Sequence, residues 1–124
     1  MMQQAMKATY TPGLHIICDI QSHDSSSMEN AEAFRVWVVA QIEKHQLCSL
    51  GDVFHQFPAS GFTAVVCLTD SHISVHTWPE YGRVTFDVFL SNYNGVNDAK
   101  TRNIADDLSL FFKAESEQRT ELKR

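Results

Sequence analysis

Leu14, Ile16, Cys18 and Ile20 alternate with His15, Ile17 and Asp19, the period-two pattern of a strand over 14–20 that buries one face. A serine-rich loop follows over 22–27. Ser26 and Glu29 have capping-box spacing, and the helix they open places Ala31, Phe34, Val38 and Ile42 on one stripe up to about residue 46. Three strand-like segments come next, over 52–57, 62–69 and 71–78. Residues 79–82 read as a turn, after which Val84, Phe86, Val88 and Leu90 alternate along a further strand. Asn97 is the expected N-cap of a second helix starting at Asp98, with Ile104, Ala105, Leu108, Phe111 and Phe112 as its buried stripe. Connections this short favour antiparallel hairpins. The pattern predicts an α+β chain, a two-layer α/β sandwich of a mostly antiparallel sheet with two helices on one face.

Composition narrows the function. The chain of 124 residues has 44% hydrophobic and 20% charged positions, which suits one domain over 1–124 with no linker and no repeat. A formal charge of −5 without clustered Lys and Arg argues against nucleic acid as a partner. No apolar run reaches the length of a membrane span, and 1–11 lacks the apolar centre of a secretory signal, so a cytoplasmic protein is expected. Three widely spaced cysteines suggest neither a disulfide framework nor a C-x-x-C metal site. Cys18 and Cys67, inside apolar strand patterns, are expected to be core thiols.

The chemistry concentrates in Thr69-Asp70-Ser71-His72-Ile73-Ser74-Val75-His76-Thr77-Trp78-Pro79-Glu80. As a strand, this run sets His72, Ser74, His76 and Trp78 on one face and Ser71, Ile73, Val75 and Thr77 on the other. Taken singly, these residues read as a solvated strand face, with Trp78 over a core and Pro79 ending the ladder. Taken together they closely resemble the Glu-Ser-His-[aliphatic]-x-[aliphatic]-His-Thr-Trp-Pro-Glu signature of the short prokaryotic S-adenosylmethionine decarboxylases, with Asp70 in place of Glu. Phe54-His55-Gln56-Phe57 before Gly61-Phe62-Thr63-Ala64-Val65-Val66 is similar to the family at the same distance from its serine. Gly13 to Asp19 resembles its first strand, and 117–124 its closing strand.

The resemblance implies that the chain makes its own pyruvoyl cofactor from Ser71 by breaking the peptide between Asp70 and Ser71. The Ser71 hydroxyl attacks the Asp70 carbonyl carbon to give an ester, loss of the Ser71 α-proton expels it by β-elimination, and the dehydroalanine left behind hydrolyses to pyruvoyl. The family's processing histidine falls on His76, and Thr63 matches a hydroxyl position that acts with it. His72 would only buttress the site. The family's proton-donating cysteine falls on Ser91, a poorer acid than a thiol near neutrality. Ser91 reads equally as a strand-end residue leading into the turn at 92–95, and Tyr81 or water is a second source of the proton.

Phe57 matches the aromatic that stacks on adenine, and Glu80 the carboxylate that accepts from the ribose hydroxyls. Phe54 and Phe57 read equally as core aromatics. The resemblance thus implies a small-molecule substrate, S-adenosylmethionine, and a place in polyamine (spermidine) synthesis. Two other readings stand: a pyruvoyl-dependent decarboxylase of ornithine, arginine or another amino acid, and an uncleaved, inactive homologue with a binding role. A homodimer is expected, with Val84, Phe86 and Val88 supplying apolar groups that one copy cannot bury.

Overall fold

The computed structural model describes residues 9–124, so most of the stretch expected to lack a secretory signal, 1–8, lies outside the described residues. Its elements run β1 (Leu14–Gln21), α1 (Ser25–Met28), α2 (Ala31–Lys44), β2 (Ser49–Gln56), β3 (Phe62–Leu68), β4 (Ser71–Trp78), β5 (Arg83–Leu90), α3 (Asp98–Phe111) and β6 (Ser116–Lys123). The six strands form one sheet in the order β2-β3-β4-β5-β1-β6, antiparallel at every pairing. The expected α+β architecture is therefore the one observed, with the one-turn α1 as an addition to the two long helices.

Strand alternation decides which side is dry. Leu14, Ile16, Cys18 and Ile20 of β1, Phe62, Ala64, Val66 and Leu68 of β3, Ile73 and Val75 of β4, and Val84, Phe86, Val88 and Leu90 of β5 are all buried in one cluster with residues of both long helices. Phe34 of α2 links the layers: its ring lies 5.3 Å from Phe62 and 5.9 Å from Phe112, just beyond α3. Val84, Phe86 and Val88 are thus covered within the chain at 0%, 3% and 0% exposure, which corrects the expectation that they await a second copy. The uncovered face is the opposite one, and it carries His15, Ile17, Thr63, Val65, His72, Ser74, His76, Thr85 and Asp87.

Cys18 is the core thiol it was expected to be, and burial, then the charge of Glu117, pushes it up to about 11. Cys67 is exposed, because its run Val65-Val66-Cys67-Leu68 is apolar on both parities and only Val66 and Leu68 face the helices. The cap of α2 is Asn30, whose side chain accepts from the Ala33 amide at 2.9 Å; Ser26 and Glu29 belong to α1 and its end. Both long helices stop on a left-handed residue that is not glycine. Gln46 (φ 56°) and Lys113 (φ 53°) each close a Schellman turn, with Leu47 N–H on the Ile42 carbonyl and Ala114 N–H on the Ser109 carbonyl, both at 2.9 Å.

Two tight points hold the β4 end of the sheet. Gly82 (φ 60°) follows a 3-10 turn at Pro79–Tyr81, and a Cβ there would lie 2.7 Å from the Ser22 carbonyl oxygen. Thr77, buried at the end of β4, donates its hydroxyl to the Met28 carbonyl at 2.7 Å and accepts from the Phe62 amide at 2.8 Å. Within the His-Thr-Trp run, Thr77 therefore ties α1 to β3 and β4 and is a structural residue.

Candidate active site

Chemistry-bearing residues gather at two ends of β4. At the first end, Leu68 pairs with Ser71 across a two-residue hairpin made of Thr69 and Asp70. Asp70 has φ 54°, a left-handed conformation that costs an L-residue roughly 1–2 kcal/mol and that Asp tolerates better than most. The short carboxylate that departs from the family signature thus suits the turn it occupies. Ser71, the next residue, accepts a hydrogen bond on Oγ from the Ser91 amide at 3.0 Å. An open cleft of ≈ 230 Å³ runs past Asp70, Ser71 and Ser91 and is also lined by Cys48, Tyr93 and Asn97. Cys48 and Tyr93 were not found from the sequence, since the start of β2 and the 91–97 loop reach this cleft only through the fold.

At the second end, on the uncovered face, Thr63 and His76 are cross-strand partners and Thr63 Oγ1 lies 2.9 Å from His76 Nδ1. Phe57, just past β2, is 43% exposed and stands 4.7 Å from the His55 ring, edge to face. Phe54 instead turns to the helices, 6.2 Å from Phe34, so of the two aromatics only Phe57 is free of the core. Glu80 and Tyr81 sit in the 3-10 turn that follows β4, open to solvent.

Between the two ends lies a polar hub. Asp87 Oδ2 is 2.7 Å from both His15 Nε2 and His72 Nε2, and Oδ1 accepts from the Ser74 hydroxyl. Burial works against ionisation of Asp87, yet the hydrogen bonds from His72, Ser74 and His15 outweigh it and hold the carboxyl well below the usual carboxylate range. Arg124 Nη1 lies 3.3 Å from His15 Nδ1. A guanidinium only donates, so His15 Nδ1 accepts and its Nε2 carries the hydrogen given to Asp87. His15, His72 and Asp87 place their ligand atoms within 4.8 Å of one another, but that tautomer leaves His15 Nε2 no lone pair for a metal. The hub went unread in the sequence because its members come from β1, β4, β5 and the chain's last residue.

One chain does not bring the two ends together. Ser71 and His76 are five residues apart on β4, about 17 Å at 3.3 Å per residue, and odd spacing puts them on opposite faces. Ser71 meets Ser91. His76 meets Thr63. Tyr81 lies at the His76 end, remote from Ser71 of its own chain.

Comparison with known proteins gives the family. The family model described as S-adenosylmethionine decarboxylase matches residues 14–124, and the chain belongs to that family. It is 38% identical over 79 residues to the S-adenosylmethionine decarboxylase proenzyme of Sulfurihydrogenibium sp. (strain YO3AOP1), covering 64% of this chain and 59% of the relative. It is 38% identical over 77 residues to the proenzyme of Archaeoglobus fulgidus, covering 62% and 69%. The chain thus spans about three fifths of the length of several curated relatives it matches. The crystal structure of the adenosylmethionine decarboxylase from Aquifex aeolicus superposes with a TM-score of 0.81 at 28% identity, covering 94% of this chain and 92% of that one. Among the described residues, no helix is long and apolar enough to cross a membrane.

The hub predicts a pH signature. Because the Asp87 carboxyl titrates well below its unfolded value of about 3.9, it stabilises the fold at neutral pH, and that contribution drains away progressively as pH falls from about 4 towards the lower folded value. Asp87→Asn should cost about 1.5–3 kcal/mol at pH 7, the range for hydrogen bonds to a charged group. Urea unfolding from pH 7 to pH 2 should show the gap between wild type and Asp87→Asn narrowing below pH 4, whereas a constant gap would mean that the charge is not what holds the hub.

Proposed function

We propose that this chain is a self-processing, pyruvoyl-dependent decarboxylase of S-adenosylmethionine that serves polyamine (spermidine) synthesis in the cytoplasm and acts as a homodimer. The carrying observation is the Asp70–Ser71 junction: a left-handed residue in a two-residue turn, followed at once by a serine whose hydroxyl oxygen is held by a backbone amide. Strain in the residue before the scissile bond raises the peptide's energy relative to the ester, and the exposed hairpin leaves its carbonyl open to attack. The N-to-O shift frees the Ser71 amine, elimination releases Asp70 as a new carboxylate terminus, and hydrolysis with loss of ammonia leaves the pyruvoyl group. Since Ser71 lines the cleft with Ser91, a group formed from it opens onto space that a substrate can enter. There the pyruvoyl carbonyl supplies the electron sink for loss of carbon dioxide. Ser91, which lines the same cleft, is the residue that would return the proton to the substrate carbon.

The two ends of β4 support the dimer. A twofold pairing across the uncovered sheet face runs the two β4 strands in opposite directions, so that one chain's Phe57, Thr63, His76 and Glu80 come to the rim where the partner's β4 begins with Ser71, completing two sites at once. His76 with Thr63 then serves as the proton-transfer pair for cleavage. His15, Ile17, Val65 and the Asp87 hub become the floor of the junction, a mixed polar and apolar face suited to a specific partner. Phe57 and Glu80, exposed at the same end, offer a flat ring for a purine and two acceptor oxygens for a ribose, which favours an adenosyl substrate over a free amino acid.

Intact-mass spectrometry tests the processing. Wild-type protein should yield a fragment ending at Asp70 and a second fragment beginning with pyruvoyl, and Ser71→Ala should stay whole; wild type that remains full length after prolonged incubation would contradict the assignment. Calorimetry on the uncleaved Ser71→Ala chain tests the substrate. Phe57→Ala and Glu80→Gln should each weaken binding of S-adenosylmethionine by about 1–3 kcal/mol, as lost base stacking and lost charge-assisted hydrogen bonds do. Binding of ornithine or arginine in place of S-adenosylmethionine would transfer the assignment to an amino-acid substrate.

A further inference from the structure

Asn97 occupies the N-cap position of α3 but makes no side-chain cap. The contrast lies within the same chain, where Asn30 at the start of α2 caps the Ala33 amide at 2.9 Å. An asparagine cap is worth about 1 kcal/mol to its helix, so a side chain that forgoes it serves another contact. The Asn97 side chain instead donates from Nδ2 to the Ser91 carbonyl at 2.8 Å. Ser91 is thereby held on both sides: its carbonyl by Asn97, and its amide on Ser71 Oγ at 3.0 Å.

Asn97 is itself fixed. Its backbone amide donates to Asn92 Oδ1 at 2.7 Å, and buried Asn92 spends its own side-chain amide hydrogens on the Pro12 carbonyl at 2.9 Å and Asp98 Oδ1 at 3.0 Å. The backbone under Ser91 has no slack either, for a Cβ on Gly13 would lie 2.5 Å from the Leu90 carbonyl oxygen and 3.1 Å from Ser91 Cα. The α3 start, the 91–97 loop and the chain entering β1 are thus clamped around one residue whose amide points at the reactive serine.

We propose that Asn97 is a positioning residue for self-cleavage, surrendering its helix cap to orient Ser91 so that the Ser91 amide holds the Ser71 hydroxyl against the Asp70 carbonyl. This rests on the reading of Ser71 as the cleavage serine. A residue acting only as a helix cap would behave in the opposite way on substitution, which makes the two roles separable. Aspartate is as good a cap as asparagine and suits the positive end of the helix, but it has no amide to give Ser91. Serine is a neutral cap too short to bridge to that carbonyl.

The test combines Asn97→Asp and Asn97→Ser in the full chain, followed by intact mass, thermal unfolding and carbonyl-carbon NMR. Both variants should keep or raise the thermal midpoint while self-cleavage slows about tenfold, the rate equivalent of one lost hydrogen bond. In the uncleavable Ser71→Ala background, both should shift the Ser91 carbonyl resonance upfield, as expected when its donor is removed. Wild-type cleavage rates in both variants would overturn the proposal and leave the Ser71 assignment standing. Absence of cleavage in the wild type would sink that assignment, and an unmoved Ser91 carbonyl would then overturn the Asn97 contact independently.

Discussion

A sheet covered by helices on one side only obliges its inner strands to sort their residues by parity, and the remaining features of this chain follow from that sorting. Apolar residues of β1, β3, β4 and β5 go to the helices, where Phe34, Phe62 and Phe112 join the layers. Polar and titratable residues of the same strands are forced onto the other face, where His15, His72, Ser74 and Asp87 satisfy one another and Thr63 meets His76. The period of two also fixes what cannot meet. Ser71 and His76, five residues apart at the start and towards the end of β4, are held apart by the stiffness of the strand. In the dimer proposed above, a second copy removes that conflict without bending any strand.

The reactive end works on different physics. A two-residue hairpin leaves few backbone conformations, and here the left-handed one falls on Asp70, the residue before the proposed nucleophile Ser71. Strain at that point persists only where its surroundings hold it. On one side the β3–β4 ladder does so; on the other, the Ser91 amide, itself clamped through Asn97, Asn92 and Gly13, does the same for Ser71. Ser91 thus meets Ser71 through its backbone amide, a contact that is the same whether the position carries a hydroxyl or a thiol.

Much of this was legible in the sequence because it is local. Alternation in β1 and β5 and the stripe of Phe34, Val38 and Ile42 announce one buried face each, and the signature from Ser71 to Glu80 announces the family. Signals failed where local rules are silent or cut both ways. Gln46 and Lys113 end helices in a left-handed conformation without the glycine that usually marks it. Val84, Phe86 and Val88 read as surplus apolar surface because the second helix that covers them lies downstream in the chain. The Asp87 hub and the Cys48 wall of the cleft bring together residues far apart in sequence, which no periodicity encodes. Asn97 has the residue type and position of a cap, and only in the folded chain does its amide turn to the Ser91 carbonyl instead.

The claim on which the account turns is that two half-sites on one chain are completed by two chains. Co-expression of Ser71→Ala with His76→Ala tests it, since each variant alone lacks one half of every site while the mixed dimer holds one intact site. Mass spectrometry of the mixture should find cleaved fragments from the His76→Ala chain and none from the Ser71→Ala chain, with neither variant cleaving by itself. A mixture in which both chains stay whole, or a His76→Ala chain that cleaves without its complement, would contradict the account.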